Sequence, residues 1–327
     1  MRTPASRRVA LRHGFLDCRT MSKTPLRAMR RLALIATLLA TGGAHAGPIS
    51  LGLDGSLNLL AFGNMNVSSS DVEGRVAVGG NATLGGYSIN TKSGSSALYA
   101  GTGLTVGGNL SFASGTVWGG AVVGGAYTPN ASGNVMGGVT SGQGFAFASE
   151  QQRLATLSAT LDALTNTGSA VDQWGTLHFN ATGQSLAVFD IQAADVAKNL
   201  QIDGLGVGAQ VLINVHGTSV DFGNHGYTGF NKGQVLFNLP DAKTLILNGG
   251  INASLLALNA SVGPGWGQIN GQVVVKDWNS SVQVNDAPMP SPRPPVPNQS
   301  RPLPEPASLA LAGLGLAAAL LARRRSR

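Results

Sequence analysis

Between residues 47 and 287 the apolar positions fall in short alternating runs broken by glycine pairs. Val76-Ala77-Val78-Gly79-Gly80-Asn81-Ala82-Thr83-Leu84 is echoed by Leu104-Thr105-Val106-Gly107-Gly108-Asn109-Leu110-Ser111-Phe112, and more loosely by Ala121-Val122-Val123-Gly124-Gly125-Ala126-Tyr127-Thr128. Each copy reads as an alternating strand, a corner and a second alternating strand. Glycine suits the corner because it lacks a Cβ, and asparagine because its side chain bonds nearby backbone. Successive copies lie 28 and then 17 residues apart. Such imperfect repetition predicts a mainly β chain whose body is a β-solenoid of stacked, parallel β-helix-like coils. A β-sandwich with glycine-rich hairpins is the alternative that the pattern leaves open.

One stretch changes period. Phe147, Leu154, Leu157, Leu161 and Leu164 share one helical face, with Glu150, Gln151, Arg153 and Asp162 on the other. A single long amphipathic helix is therefore expected alongside the β body, with Ser149 and Gln152 as a capping box and Gly168 beyond its end. Strand patterns return at 186–191, 210–215, 235–239 and 244–247, and 271–276 is the most continuous late strand. Asn248, Asn252, Asn259, Asn270 and Asn279 recur near turns, where a solenoid stacks such side chains as structural rungs.

The flanks follow other rules. Residues 1–46 read as a signal peptide, with 1–20 as an over-extended start before Met21 or Met29. Lys23, Arg27, Arg30 and Arg31 precede the apolar run 32–40, and Ala44 and Ala46 mark cleavage before Gly47. A proline-rich linker covers 288–303. Nine of the nineteen residues from 288 to 306 are proline, which gives an extended spacer spanning roughly 60 Å. Pro304, Glu305 and Pro306 then introduce the uncharged run 307–322 and the cluster Arg323, Arg324, Arg325 and Arg327. As a helix that run is roughly 24 Å long, a short transmembrane helix whose basic end stays cytoplasmic.

Setting the flanks aside reverses the charge balance. The whole chain is +7, whereas residues 47–290 hold 7 basic and 13 acidic residues. The basic character belongs to the targeting ends, and no basic stripe is left for nucleic acid. Cys18, the single cysteine, lies ahead of the cleavage site, so the exported body has no thiol chemistry.

Candidate chemistry in the body is sparse. His216, Asp221 and His225 lie close in sequence but match no ligand spacing and sit among glycine turns; His178 stands apart. No calcium-loop pattern occurs. Asp71 and Glu73, with Arg75, alternate as a carboxylate pair on one strand face would, the arrangement of a glycan hydrolase. A solvated ion-paired strand accounts for the same residues. No catalytic residue, cofactor or metal is assigned. Trp118, Tyr127 and Trp266 are the candidate ligand face, since rings beside glycines can stack on sugars; Trp174 and Trp278 have similar neighbours, and packing in the core or over coil edges accounts for all five.

The tail, Pro304-Glu305-Pro306 followed by an apolar helix and Arg323-Arg324-Arg325, resembles the PEP-CTERM sorting signal of Gram-negative bacteria. That resemblance implies processing by an exosortase and an association with exopolysaccharide. The body resembles the choice-of-anchor A family through Asn58-Leu59-Leu60-Ala61-Phe62-Gly63-Asn64, Ser70-Asp71-Val72-Glu73-Gly74-Arg75-Val76-Ala77-Val78-Gly79-Gly80-Asn81 and Gly267-Gln268-Ile269-Asn270-Gly271-Gln272-Val273-Val274. It implies an adhesin-like surface module without assigned catalytic residues. Coils flanked by one helix are also similar to ice-binding β-solenoids, in fold alone. The expectation is an exported, surface-sorted binding module of the biofilm or exopolysaccharide matrix, anchored at least transiently by its C-terminal helix. A polysaccharide hydrolase and an ice-binding protein are the alternatives; the latter is weakened by the lack of a Thr-x-Thr ladder.

Overall fold

The chain divides into two units, Met1–Ala46 and Gly47–Arg327. The computed structural model describes residues 48–290, apart from Gly55. The signal, the tail and the linker beyond Pro290 lie outside the described residues; Met289, at the expected start of the linker, is instead buried in the core beside the helix.

The described body is a parallel β-solenoid, and the sandwich alternative does not hold. Every strand pair is parallel except the hairpin of Ala170–Gln173 with Thr176–Asn180. Valine and leucine at alternate positions turn inward coil after coil, giving one continuous core that includes Leu59, Val76, Leu104, Phe112, Phe237 and Val275. The sequence repeats are the coils. Val76 pairs with Leu104 and Leu104 with Ala121, and likewise Val78 with Val106 and Val106 with Val123. The uneven spacing arises because an excursion over 90–101, containing the short 3-10 helix Ala97–Tyr99, leaves the coil path between the first two copies.

The coils are not stacked in chain order. Leu57–Ala61 sits in the middle, pairing with Arg75–Val78 on one side and Val273–Trp278 on the other. The chain winds from the middle to one end at Val139–Ser141. The helix then leads to the opposite end, and the chain winds back through Leu186–Gln192, Gln210–His216 and Val235–Asn238. The last coil thus closes on the first, with Val72 beside Val284 and Met65 beside Trp278.

Side-chain rungs fix the corners. Asp277 Oδ1 accepts from Asn64 N–H (2.8 Å), Asn64 Oδ1 from Asn81 N–H (2.9 Å), Asn81 Oδ1 from Asn109 N–H (2.8 Å) and Asn109 Oδ1 from Ala126 N–H (2.8 Å). The ladder crosses the seam between the chain's two halves. A second ladder joins Asn252, Asn270 and Asn285 at 2.8 and 3.0 Å. Asn259 instead donates to the Pro240 carbonyl. At Gly107 a Cβ would strike the Gly79 carbonyl, so the coils approach there as only glycine permits.

The helix is Phe147–Asp162, and Leu154 and Leu161 pack with Leu60, Leu212, Leu236 and Leu256. Its ends differ from expectation. Ala146 is the N-cap, without a side-chain bond, and the Ser149 hydroxyl donates to the Ala146 carbonyl. Ala163, not Gly168, is the C-cap. Polar rungs hold the helix in place: Ser158 donates to Asn238 Oδ1 (2.6 Å), and Asn214 to the Leu161 carbonyl (3.2 Å).

Candidate functional site

Away from the helix, four neighbouring parallel strands, Met65–Val72, Ala82–Ile89, Leu110–Val117 and Tyr127–Val135, form one stretch of wall. Eight-residue strands span about 26 Å, and neighbours lie about 4.8 Å apart. Alternation sends Met65, Val67, Leu84, Tyr87 and Phe112 into the core. Gly115, at φ +113, leaves room for its neighbour, since a Cβ there would strike the Tyr87 carbonyl. The outward positions form columns. Asn66, Thr83, Ser111 and Thr128 align in register and are exposed. Ser69, Gly86, Ser114 and Ser132 form a second column. Asp71 is beside Ser88, Thr116 beside Asn134, and the Thr116 N–H donates to Ser88 Oγ (3.3 Å).

The outward side chains of this wall are short, and its hydroxyls and amides recur in register from strand to strand. It is also nearly free of charge. Residues 93–149, which supply two of the four strands, hold no Asp, Glu, Lys, Arg or His. That charge-free run is the sequence signal that could have located the wall; the reading by motif and by aromatic residue passed over it.

The sequence-predicted residues scatter. Trp118 (40% exposed) follows Leu110–Val117, whereas Trp266 (55%) opens Trp266–Asn270 four coils away, about 19 Å along the axis. Tyr127 is half-buried against the end of the core. The structure does not bring the three together. Trp174 is fully exposed, and Trp278 is fully buried.

Asp71 and Glu73 do not share a strand face, because Val72 ends its strand and Glu73 sits in the following corner. Glu73 pairs with Lys92 (2.9 Å) and accepts from Asp286 N–H (2.8 Å). Arg75 pairs with Asp54. Asp71 accepts from Gln283 (3.3 Å); burial raises its carboxyl, the Gln283 bond opposes this, and the charge of Glu73 adds to the rise. His216 faces Asp162 and Asp241 at 3.8 and 3.6 Å, and the His225 ring lies on Tyr227 (4.8 Å). His178 meets Asp203 at 2.8 Å. Among the described residues no group of three or more metal-ligating side chains is gathered. Nor, among them, is any helix long and apolar enough to cross a membrane; 307–322 lies outside them. A groove beside Phe145 encloses about 350 Å³ between Arg75, Thr102, Thr105 and Val122, and its one ion pair, Arg75 with Asp54, is internal.

Comparison with known proteins adds to this geometry. A family described as "Putative Ice-binding-like adhesive domain" matches residues 50–286, and the PEP-CTERM protein-sorting motif matches residues 302–325. The chain is similar to a domain of an ice-binding protein of Shewanella frigidimarina (11% identity, TM-score 0.41, 75% of this chain and 100% of that one). It is also similar to an ice-binding protein of the Antarctic ascomycete Antarctomyces psychrotrophicus (12%, 0.35, 73% and 98%) and to one of an Arctic yeast (13%, 0.36, 76% and 97%). No curated protein matches the chain.

Proposed function

Because residues 50–286 belong to the ice-binding-like adhesive domain family, we propose that the body is an exported adhesive module that binds extended, uncharged surfaces through the four-stranded wall. The observation that carries this is the in-register set of hydroxyls and amides on four strands, two of them from the charge-free run 93–149. An array of short polar side chains whose single charge is Asp71 costs less to desolvate than a charged surface and matches a ligand that repeats along its own length, such as a neutral polysaccharide of the extracellular matrix. Adhesion then comes from many weak contacts on one face, with no covalent step. The family found over 50–286 is the ice-binding-like adhesive domain and not choice-of-anchor A specifically; it supports the adhesive part of that expectation.

The PEP-CTERM motif at 302–325 implies export to the cell surface and processing by an exosortase. Pro304, Glu305 and Pro306 are the residues that enzyme would recognise, and Arg323, Arg324 and Arg325 would hold the tail's end on the inner side until processing. Cleavage at Ala46–Gly47 would free the other end. Trp118, at the end of one wall strand, and Trp266, two strands beyond the wall, would act as separate stacking points.

Ice is the second reading, favoured by the family description and by the column Asn66, Thr83, Ser111 and Thr128 at the strand spacing. Co-sedimentation with neutral and acidic polysaccharides, alongside thermal hysteresis of the same protein, separates the two. Binding of neutral glycans without hysteresis is the expected result; hysteresis without glycan binding moves the wall to ice. Binding of neither refutes the proposal.

A further inference from the structure

The excursion at 90–101, which makes the repeat uneven, carries Lys92 and Tyr99 to the last residues of the body. Lys92 Nζ lies 2.9 Å from Glu73 Oε2, 3.8 Å from Asp286 Oδ2 and 3.3 Å from the Asp286 carbonyl. The Tyr99 hydroxyl donates to Asp286 Oδ2. The Asp286 side chain is 5% exposed, and its Oδ1 has no hydrogen-bond partner. A buried carboxylate oxygen without a donor is costly, and an ion pair alone does not relieve it. The backbone fixes the arrangement: Lys92 N–H donates to the Glu73 carbonyl (3.0 Å) and Asp286 N–H to the Glu73 carboxylate (2.8 Å), so Glu73 orients both partners.

We propose that Lys92 and Asp286 condense into an intramolecular isopeptide bond, promoted by Glu73 and Tyr99. Lys92, its proton passed to Glu73, attacks Asp286 Cγ, and the Tyr99 hydroxyl holds the oxygen that gains negative charge. Burial first, then the bond to Asp286, push the Tyr99 hydroxyl up to about 12, so it stays a donor at neutral pH. Glu73 returns that proton to Asp286 Oδ1, the nitrogen gives up its second proton to the same oxygen, and that oxygen leaves as water. An Nζ–Cγ bond forms, a Cγ–O bond breaks, and one water leaves; the ammonium and carboxylate supply every atom, so no oxidant or co-reactant is required. The product amide removes both charges and one of the two carboxylate oxygens from the buried site.

The position gives the bond a purpose. Asp286 stands at the C-terminal end of the body, just ahead of the buried Met289 and of the proline-rich stretch that leads to the sorting motif. Load on an adhered body enters through that point. A covalent tie from Asp286 to the excursion holds the last coil to the coil of Ala82–Ile89.

Intact mass and peptide mapping of the purified protein test the proposal. The expected result is a chain lighter than its sequence by one water, with a branched fragment joining Lys92 to Asp286. Lys92→Arg keeps the charge but cannot form the bond, and should show the full sequence mass. Glu73→Gln should leave Lys92 and Asp286 unjoined. Free Lys92 and Asp286 in the folded wild-type protein would overturn the proposal; a joined pair in Glu73→Gln would overturn the role of Glu73.

Discussion

Asn81 shows how much of this fold rests on single polar atoms. Its Oδ1 satisfies the backbone of Asn109 on the next coil, while its own N–H is satisfied by Asn64. Removing the side chain leaves a corner donor unpaired, so Asn81→Ala should cost about 1–3 kcal/mol in denaturant unfolding. Asp277 starts the same ladder with a carboxylate. Burial raises its pKa, but bonds from Ser261 and Asn64 N–H and the charge of Lys276 outweigh that and hold it below the ordinary 3.8. A carboxyl lowered on folding stabilises the protein above its unfolded pKa and loses that contribution as pH falls through the folded value. Asp277→Asn should therefore be less stable than wild type at pH 7, with the gap closing in strong acid; a gap independent of pH would show that the charge is irrelevant. Ser149 was misjudged from sequence. It looked like a cap partner because serine often is one, but the helix begins two residues before it and its hydroxyl turns back to Ala146. Trp278 follows the core-packing reading of the aromatic residues: it fills the core at the seam, where the partner coil comes from more than two hundred residues away.

At the level of elements, the alternating strands and the helix were legible because each rests on a local period. Val76 and Leu104 were matched by sequence alone and are paired neighbours in the structure. The stacking order was not legible. Nothing local in Leu57–Ala61 tells that it will lie against Val273–Trp278. The helix makes this order possible by connecting the two ends of the stack along one flank. Leu154 and Leu161 are its fully buried leucines, covered by Leu60, Leu212 and Leu236. Leu161→Ala should destabilise the body by about 2–5 kcal/mol, read as a lower denaturation midpoint. An exposed-face change such as Gln151→Ala should leave that midpoint within about 0.5 kcal/mol of wild type.

For the whole molecule, address and activity occupy different parts of the chain. The sorting motif occupies 302–325, outside the body, and the two ends carry the positive charge that the body lacks. The wall was hidden from sequence reasoning because no motif marks it. It arises only when strands from several coils align their small outward side chains, as Thr83, Ser111 and Thr128 do. Adsorption of the protein to an insoluble neutral polysaccharide, compared with the double variant Thr83→Lys and Thr116→Lys, tests the wall most directly. Both residues point outward, so the variant should keep the wild-type melting temperature while its affinity falls by about tenfold or more, or about 1.4 kcal/mol. Adsorption of the double variant equal to that of wild type would contradict the assignment of binding to this wall.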